Sequence, residues 1–325
     1  SSLATAATMG QVALPELRAH GYSGRLATGT LAAAGTLGIL IPPSVPLVIY
    51  AVLTQESIGK LFVAAVIPGL IATLGYMIVI RLVVTLDPSA GPAGEKATWA
   101  QRLRSVVDVA PVAGVFLVVI VGIYDGWANP TEAASIGAAA CGLLATFAGG
   151  MRWKGLRASI IGTAHATAMI YMVLLGADVL NAGLAITQLP GELANWVKNS
   201  GMAPMLVMSA ILVIYVLLGC VMDSLAMILL TIPIFYPVVM GLDFYGMSQV
   251  DKSIWFGILA LMVVEIGLVH PPLGMNLFII QKLAKDTPYI ETAKGVMPFL
   301  ASDLLRIVLL LLVPSISLWL VHLNA

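Results

Sequence analysis

The sequence predicts an all-α polytopic membrane protein that contains two inverted repeats. Its 325 residues are 60% hydrophobic and only 10% charged, and their mean hydropathy is +1.00, whereas soluble domains carry about 25% charged residues. Apolar segments long enough to cross a bilayer recur along the chain. The motif Gly-x3-Pro-Pro interrupts two of these segments, and proline ends or kinks a helix because it lacks the amide hydrogen.

The charge balance and the cysteines exclude several classes of protein. With 16 basic and 16 acidic residues the net charge is zero, so we predict no nucleic-acid partner. Cys141 and Cys220 lie inside apolar runs and indicate neither a disulfide framework nor a metal site. The first residues, SSLATAATMG, have no initiator Met and begin within a pattern, so we expect an N-terminal part of the protein to precede them.

Apolar segments and the linkers between them predict the order of the membrane helices. The segments lie near residues 26–52, 58–85, 106–124, 131–150, 157–190, 203–241, 253–283 and 297–323. The linker 86–104 is polar and rich in Pro and Gly. The linker 284–296 carries lysines and is typical of an amphipathic turn of helix.

The segment 203–241 is too long for one crossing, and the stretch GCVMDS (219–224) interrupts it. We therefore expect a helical hairpin that enters and leaves the membrane on the same side. The distribution of Lys and Arg favours this interpretation, because basic residues concentrate on the cytoplasmic side. If the hairpin re-enters and every other segment crosses, most of the 16 basic residues lie inside. The exceptions are Lys60, Lys198 and Lys252 outside and Arg306 within a span.

The two halves of the chain repeat the same order of features. Each has a Ser-Leu-Ala tip, a proline thirteen positions after that serine, and then the Gly-x3-Pro-Pro break. The positions are Ser2, Pro15 and 38–43 in the first half and Ser224, Pro237 and 267–272 in the second. The predicted membrane sides make the two units inverted, which is typical of secondary transporters with a site where discontinuous helices meet. There, freed carbonyls can bind a cation and helix N-termini can face an anion.

Five stretches of the chain resemble the large membrane subunit of tripartite ATP-independent periplasmic (TRAP) transporters. They are ATAATMG…LPE (4–16), GTLGILIPPS (35–44), YDGWANPTEAASIGA (124–138), LGCVMDSLAMILLTIPIFYPV (218–238) and GLVHPPLGMNLF (267–278). The resemblance covers essentially the whole chain. The family's first spans and the first arm of its first hairpin are absent, so Ser1 and Ser2 are expected to belong to that hairpin's tip.

The resemblance implies an elevator-type fold, in which a transport domain of two hairpins and two broken helices moves against a scaffold. It implies Na⁺-coupled uptake, across the bacterial inner membrane, of a dicarboxylate, sialic acid or another sugar or keto acid. It also implies two partners, a periplasmic substrate-binding protein and a small membrane subunit, and a protein that is not an enzyme. The expected parts are 1–57 and 201–285 for the transport domain, 58–200 for the scaffold and connecting helices, and 286–325 for an amphipathic turn and the last span.

Two Na⁺ sites are expected at the two breaks, because hard cations take oxygen ligands. The first would combine a hydroxyl of Ser1 or Ser2 with backbone carbonyls at Gly38, Ile41 and Pro43. The inverted second site would combine Asp223 and Ser224 with backbone carbonyls at Gly267, His270 and Pro272. The alternative is that both breaks only kink the helices for packing.

Four polar residues are candidates for contacts with the substrate: Ser2, Ser44, Asp223 and Asn276. A carboxylate at membrane depth is costly, which favours a functional Asp223, although Asp also caps helices well. Ser44 is equally compatible with helix capping, and Asn276 with an interhelical hydrogen bond. For His270 we favour a histidine satisfied by packing and one hydrogen bond over a pH-sensitive role.

No basic residue is predicted to face the cavity, so helix N-termini and hydroxyl groups would recognise the carboxylate. Replacement of Ser44 by Ala would then weaken uptake without loss of folded protein. Glu265 precedes a break and would line the cavity. Asp303 and Arg306 are spaced i,i+3 and would pair on one helix face.

Three alternatives to a Na⁺-coupled carrier remain open. The first is an H⁺-coupled carboxylate carrier without a binding protein, with Asp223, Glu265 and His270 as a relay. An ion channel is less favoured because the sequence has no repeated ring of filter residues. A membrane enzyme ranks lowest, since no nucleophile–base pair, metal cluster or phosphate loop occurs at usable spacing.

Overall fold

The computed structural model describes residues 2–94 and 98–323, and every regular element within these ranges is helical. The helices are α1 (Ser2–Ala19), α2 (Gly24–Ala34), α3 (Leu37–Leu40), α4 (Val45–Thr54), α5 (Ile58–Leu86), α6 (Trp99–Tyr124), α7 (Pro130–Phe147), α8 (Trp153–Thr187), α9 (Leu189–Asn199), α10 (Pro204–Gly219), α11 (Ser224–Met240), α12 (Gln249–Val269), α13 (Met275–Leu283), α14 (Tyr289–Leu312) and α15 (Ser315–Leu323). A short 3-10 helix, Pro88–Ala90, follows α5.

Six helical stretches in the described ranges are long and apolar enough to cross a membrane. They are Gly24–Thr54, Ile58–Leu86, Trp99–Tyr124, Trp153–Thr187, Gln249–Val269 and Tyr289–Leu312. A span needs about 20 mostly apolar residues, so α10 and α11, with 16 and 17 residues, are short for a full crossing. The predicted all-α polytopic membrane protein is thereby confirmed.

The first Gly-x3-Pro-Pro motif breaks a helix, as predicted. The four-residue α3 follows α2, and residues 41–44 then have no helical structure. Pro42 and Pro43 lack amide hydrogens, so they cannot continue the helical hydrogen-bond pattern. The chain becomes helical again in α4, with Ser44 as the N-cap and Pro46 in the first turn, where proline is tolerated.

The second motif interrupts the chain in the same way. After α12 ends at Val269, residues 270–274 have no helical structure, and α13 begins at Met275. The proline pairs of both breaks, Pro42-Pro43 and Pro271-Pro272, are joined by cis peptide bonds. The two halves of the chain therefore carry the same local backbone interruption.

The predicted hairpin at 203–241 consists of α10 and α11, joined by residues 220–223. Its first arm, α10, packs against α12, and its second arm, α11, packs against α12 and α4. The returning arm α11 contains Pro237, as α1 contains Pro15 in the first half. The order of returning helix and broken helix thus repeats, while the membrane side of each unit stays a prediction.

The helix α12 lies at the centre of the larger of two compact units, which comprises the chain up to Pro92 and from Gly176 onward. Every residue of Lys252–Val269 is buried. Lys252 is buried despite its charge because Nζ donates to the carbonyls of Met240, at 3.2 Å, and Leu242, at 2.5 Å. These carbonyls lie at the C-terminal end of α11, where the helix dipole favours a cation.

The smaller unit is Ala93–Leu175, in which α6 packs against α7. Asn129 and Glu132 form a capping box at the start of α7, with both side-chain-to-backbone bonds at 2.9 Å. Such a box satisfies two amides that the first helical turn leaves without partners. The helices α6 and α8 bury few of their apolar side chains, which suits helices that face lipid.

The C-terminal linker is helical over part of its length. The segment 284–296, predicted as an amphipathic turn of helix, contains the start of α14, which begins at Tyr289 and continues for 24 residues. Thr292, Ala293 and Val296 are buried and extend the packed face of the span. The helix ends before Pro314, and α15 follows.

Candidate functional site

Helix α1, the returning arm of the first repeat, meets the second break through Ser2 and Asn276. These are two of the four residues predicted to contact substrate. Both side chains are buried. Asn276 Nδ2 donates to Ser2 Oγ at 2.8 Å, and Ser2 Oγ donates to Asn276 Oδ1 at 3.2 Å. Asn276 Nδ2 also donates to the Ala32 carbonyl at 3.2 Å. The interhelical hydrogen bond expected of Asn276 is confirmed, and its contact with substrate stays a prediction.

The first break packs directly against the arm α1. A Cβ added to Gly38 would lie 2.8 Å from Thr5 Oγ1, so only glycine allows this approach without displacing the threonine. Ser44 Oγ donates to the Ile39 carbonyl and accepts from the Leu47 amide at 3.5 Å. Capping, one of the two interpretations of Ser44, is thereby confirmed.

The predicted ligands of the first Na⁺ site differ in their exposure. Gly38, Ile41 and Pro43 are exposed, whereas Ser2 is buried. Ser1 lies outside the residues that the structure describes. Hydroxyl and carbonyl oxygens are ligands that a hard cation accepts, so the donor atoms at this break are of the type that Na⁺ requires.

The second break packs against the tip of the hairpin α10–α11. A Cβ on Gly267 would lie 2.5 Å from the Cα atom of Gly219 and 3.2 Å from the amide nitrogen of Cys220. The backbones of α10 and α12 therefore touch three residues before the break, which only a pair of glycines permits. The structure thus brings Gly219 and Cys220 of the hairpin tip against Gly267, while a Na⁺ site formed by Asp223 and Ser224 with this break stays a prediction.

The polar residues of that tip are Asp223 and Ser224. Asp223 Oδ2 accepts from the Leu225 amide at 3.0 Å, which caps α11. Ser224 is buried at the first position of the same helix. The capping interpretation of Asp223 is confirmed, and the carboxylate retains lone pairs with which it can bind a cation.

His270 and Pro272 lie on an exposed surface, so of the interpretation of His270 as satisfied by packing and one hydrogen bond, the hydrogen bond is present and the close packing is not. His270 is exposed, and its Nδ1 lies 2.6 Å from the carbonyl oxygen of Pro271, its own neighbour. The Pro272 carbonyl, a predicted Na⁺ ligand, accepts from Tyr289 Oη at 2.6 Å. The Tyr289 ring stacks on Phe278 with 5.3 Å between centroids.

Glu265 does not line a cavity, contrary to the prediction. Its side chain is 0% exposed, and Oε2 accepts from Arg306 Nη2 at 3.2 Å. Arg306 Nη2 also lies 3.0 Å from Asp303 Oδ1, which confirms the predicted i,i+3 pair. Tyr76 Oη donates to the other oxygen of Asp303 at 2.8 Å. Burial is possible for Glu265 because an oppositely charged group and hydrogen bonds compensate its lost hydration.

Sequence reasoning missed three residues that contact the breaks or the ion pair: Thr5, Tyr76 and Tyr289. Thr5 belongs to the quoted stretch 4–16 but was not singled out, whereas Tyr76 lies within an apolar span and Tyr289 opens a helix. For the two tyrosines the sequence carried a chemical signal, because a tyrosine in an apolar environment needs a partner for its hydroxyl.

Comparison with known proteins gives a family match over nearly the whole chain. Residues 1–316 match the family described as "Tripartite ATP-independent periplasmic transporter, DctM component". The match includes both breaks, the hairpin α10–α11 and most of α14.

Individual relatives extend over the same region. The chain is 33% identical to the C4-dicarboxylate TRAP transporter large permease protein DctM of Pseudomonas aeruginosa, over 98% of this chain and 72% of that protein. It is 30% identical to the sialic acid TRAP transporter large permease protein SiaM of Vibrio cholerae, over 98% of this chain and 72% of SiaM. It is also 30% identical to the ectoine TRAP transporter large permease protein TeaC of Halomonas elongata, over 98% of this chain and 73% of TeaC.

Proposed function

Because the chain belongs to the DctM family, the large permease subunits of TRAP transporters, we propose that it forms the membrane part of a Na⁺-coupled transporter that imports an organic acid. It is a multi-pass protein of the bacterial inner membrane. A periplasmic binding protein delivers the acid, and a small membrane subunit binds alongside. Its activity is transport rather than catalysis of a reaction.

The observation that carries this proposal is the contact between Ser2 and Asn276. Ser2 begins the returning arm of the first repeat, and Asn276 follows the break of the second. Carriers built from inverted repeats bind their cargo where the discontinuous helices of both repeats meet. Here the meeting point holds a buried hydroxyl and a buried amide, which are groups suited to a polar solute.

Cation binding at the two breaks is supported by the groups found beside them. The first break has the Thr5 hydroxyl against Gly38. The second has Gly219 and Cys220 of the hairpin tip against Gly267, and Asp223 follows them in the same tip. Na⁺ would be held by hydroxyl, carboxylate and backbone carbonyl oxygens, and its gradient would supply the driving force for uptake.

An organic acid as cargo is supported by relatives named for C4-dicarboxylate and sialic acid. The helix α13 begins beside Asn276, and its N-cap Gly274 leaves the first turn without a side-chain cap. Amides at a helix N-terminus attract a carboxylate. A carboxylate can therefore be recognised here without a basic side chain.

An H⁺-coupled carrier remains the alternative, with Asp223, Glu265 and His270 as a relay. The contacts of the described residues do not favour it. Glu265 pairs with Arg306, Asp223 caps α11, and His270 contacts the carbonyl of Pro271.

Uptake into proteoliposomes tests the proposal. The full-length protein and its small subunit would be reconstituted and supplied with binding protein loaded with labelled C4-dicarboxylate, sialic acid or ectoine. We expect uptake of one cargo that requires both an inward Na⁺ gradient and the binding protein. Uptake that persists without Na⁺ and collapses with a protonophore would instead establish the H⁺-coupled carrier.

A further inference from the structure

Three charged side chains form a buried ionic cluster: Glu265 of α12, and Asp303 and Arg306 of α14. Their exposed fractions are 0%, 1% and 3%. The Arg306 Nη2 atom lies 3.2 Å from Glu265 Oε2 and 3.0 Å from Asp303 Oδ1. Three polar atoms of the cluster nevertheless have no hydrogen-bond partner among the described residues: Glu265 Oε1, and Arg306 Nε and Nη1.

The ionic cluster adjoins equivalent positions of the two repeats. Glu265 lies two residues before Gly267, the glycine of the second Gly-x3-Pro-Pro motif. Thr36 lies two residues before Gly38, the glycine of the first motif. Thr36 is fully buried, donates to the Ala33 carbonyl at 2.8 Å, and lies 3.5 Å from Tyr76 Oη.

Tyr76 and Glu265 connect the ionic cluster to the first break from two directions. Tyr76 Oη donates to Asp303 at 2.8 Å while it contacts Thr36 before that break. Glu265 belongs to α12, which packs against α3, the short helix that ends at Leu40 before the first break. Polar contacts therefore run from Thr36, before the first break, through Tyr76 of α5 and the charged pair of α14 to Glu265, before the second break.

Stability alone is a weak reason for this arrangement. Burial of an ion pair removes the hydration of both charges, and apolar residues of similar volume often stabilise a fold as well or better. Here two carboxylates share one guanidinium, and several atoms stay without partners. The best-attested benefit of such buried polar groups is that they select one arrangement of the packed elements.

We propose that Arg306, Asp303 and Tyr76 are positioning residues that hold the two breaks in a fixed register, so that cation binding at one break favours binding at the other. This inference rests on the proposed Na⁺-coupled function. Coupling between sites requires an element whose arrangement both sites bias, and the ionic cluster with Tyr76 contacts both broken helices.

The variant Tyr76→Phe is the sharpest test, because it removes one hydroxyl and keeps the ring that packs on Phe299. Tyr215→Phe is the matched control. Tyr215 is also fully buried, and its hydroxyl accepts from Thr231 at 2.7 Å, but this bond joins the two arms of the hairpin rather than the breaks. Both variants lose one buried hydroxyl and should lose similar stability.

The measurement is the Na⁺ dependence of uptake by the full-length protein with its small subunit, together with the thermal stabilisation of the detergent-purified complex by Na⁺. For Tyr76→Phe we expect the half-saturating Na⁺ concentration to rise by about fivefold or more and the Hill coefficient to fall toward unity. The amount of folded protein and the maximal rate should change no more than in Tyr215→Phe.

The outcomes separate the two proposals. Wild-type uptake without Na⁺ dependence would overturn the proposed coupling and this inference with it. Wild-type Na⁺ dependence with identical Na⁺ curves for Tyr76→Phe and Tyr215→Phe would overturn the positioning role alone. If Tyr76→Phe lowered only the amount of folded protein, its role would be structural and the inference would be wrong.

Discussion

Ser2 and Asn276 are separated by 274 residues, yet their side chains exchange two hydrogen bonds in the interior of the larger unit. Asn276 also binds the Ala32 carbonyl of α2, and its Nδ2 atom would lie 3.2 Å from a Cβ on Gly35. One side chain after the second break thus contacts the arm and the broken helix of the first repeat. Substitution of Asn276 therefore tests whether this polar contact between the two repeats matters for stability and uptake.

Asn276→Ala should impair both stability and uptake. The change leaves Ser2 Oγ and the Ala32 carbonyl without a partner, which we expect to cost about 1–2 kcal/mol. Thermal unfolding of the purified complex and uptake per folded protein would be measured. Asn181→Ala is the control, because Asn181 Oδ1 is already without a partner. Equal effects of both changes would argue against a specific role of Asn276.

Asp223→Asn separates capping from cation binding. Asn caps a helix about as well as Asp, so the N-cap bond to Leu225 should survive and stability should be unchanged. Loss of a charged ligand should raise the half-saturating Na⁺ concentration at least about tenfold, because even outer partners of metal ligands are worth 10–100-fold in affinity.

The control for Asp223→Asn is Asp243→Asn, in which the carboxylate accepts from the Gly246 amide of an exposed turn. Asp223→Ala should lose stability as well, through the missing cap. If Asp223→Asn leaves the Na⁺ dependence unaltered, Asp223 is a capping residue only.

Gly267→Ala should prevent the hairpin from packing at the second break. The added methyl would lie 2.5 Å from Gly219 Cα and 2.7 Å from its carbonyl carbon, and backbone atoms cannot move aside as a flexible side chain can. We expect a loss of at least about 1–3 kcal/mol, as for other overpacked sites, and loss of uptake. The matched control is Gly183→Ala, since a Cβ at Gly183 would meet nothing within 4 Å and alanine favours a helix. Wild-type behaviour of Gly267→Ala would show that α10 and α12 separate at this point.

Ser44→Ala should lower stability by about 1 kcal/mol, because it removes the N-cap of α4. The sequence alone predicts that Ser44→Ala weakens uptake without loss of folded protein. The cap on α4 adds an expected loss of stability. Ser23→Ala removes the equivalent bond to the Leu26 amide at the start of α2 and serves as the control. If Ser44 also contacts substrate, uptake per folded protein should fall in Ser44→Ala and not in Ser23→Ala. Parallel losses in both variants would leave Ser44 with its capping role alone.

The sequence by itself determined the class of the protein, the two breaks and the hairpin. These features depend on local chemistry that needs no tertiary partner. A chain with 10% charged residues cannot form an ordinary soluble surface. The adjacent Pro271 and Pro272 remove two consecutive amide hydrogens from the helical pattern, and Asp223 caps the helix that follows it.

The tertiary structure alone decided which side chains meet. The sequence carries no signal that joins Glu265 to Arg306, because a side chain's partner depends on how helices from distant parts of the chain pack. The same holds for Tyr289, whose bond to Pro272 arises because α14 begins eight residues earlier than the apolar pattern indicates. Glu265 was expected in a cavity and is buried, since one guanidinium on α14 makes burial of its charge possible.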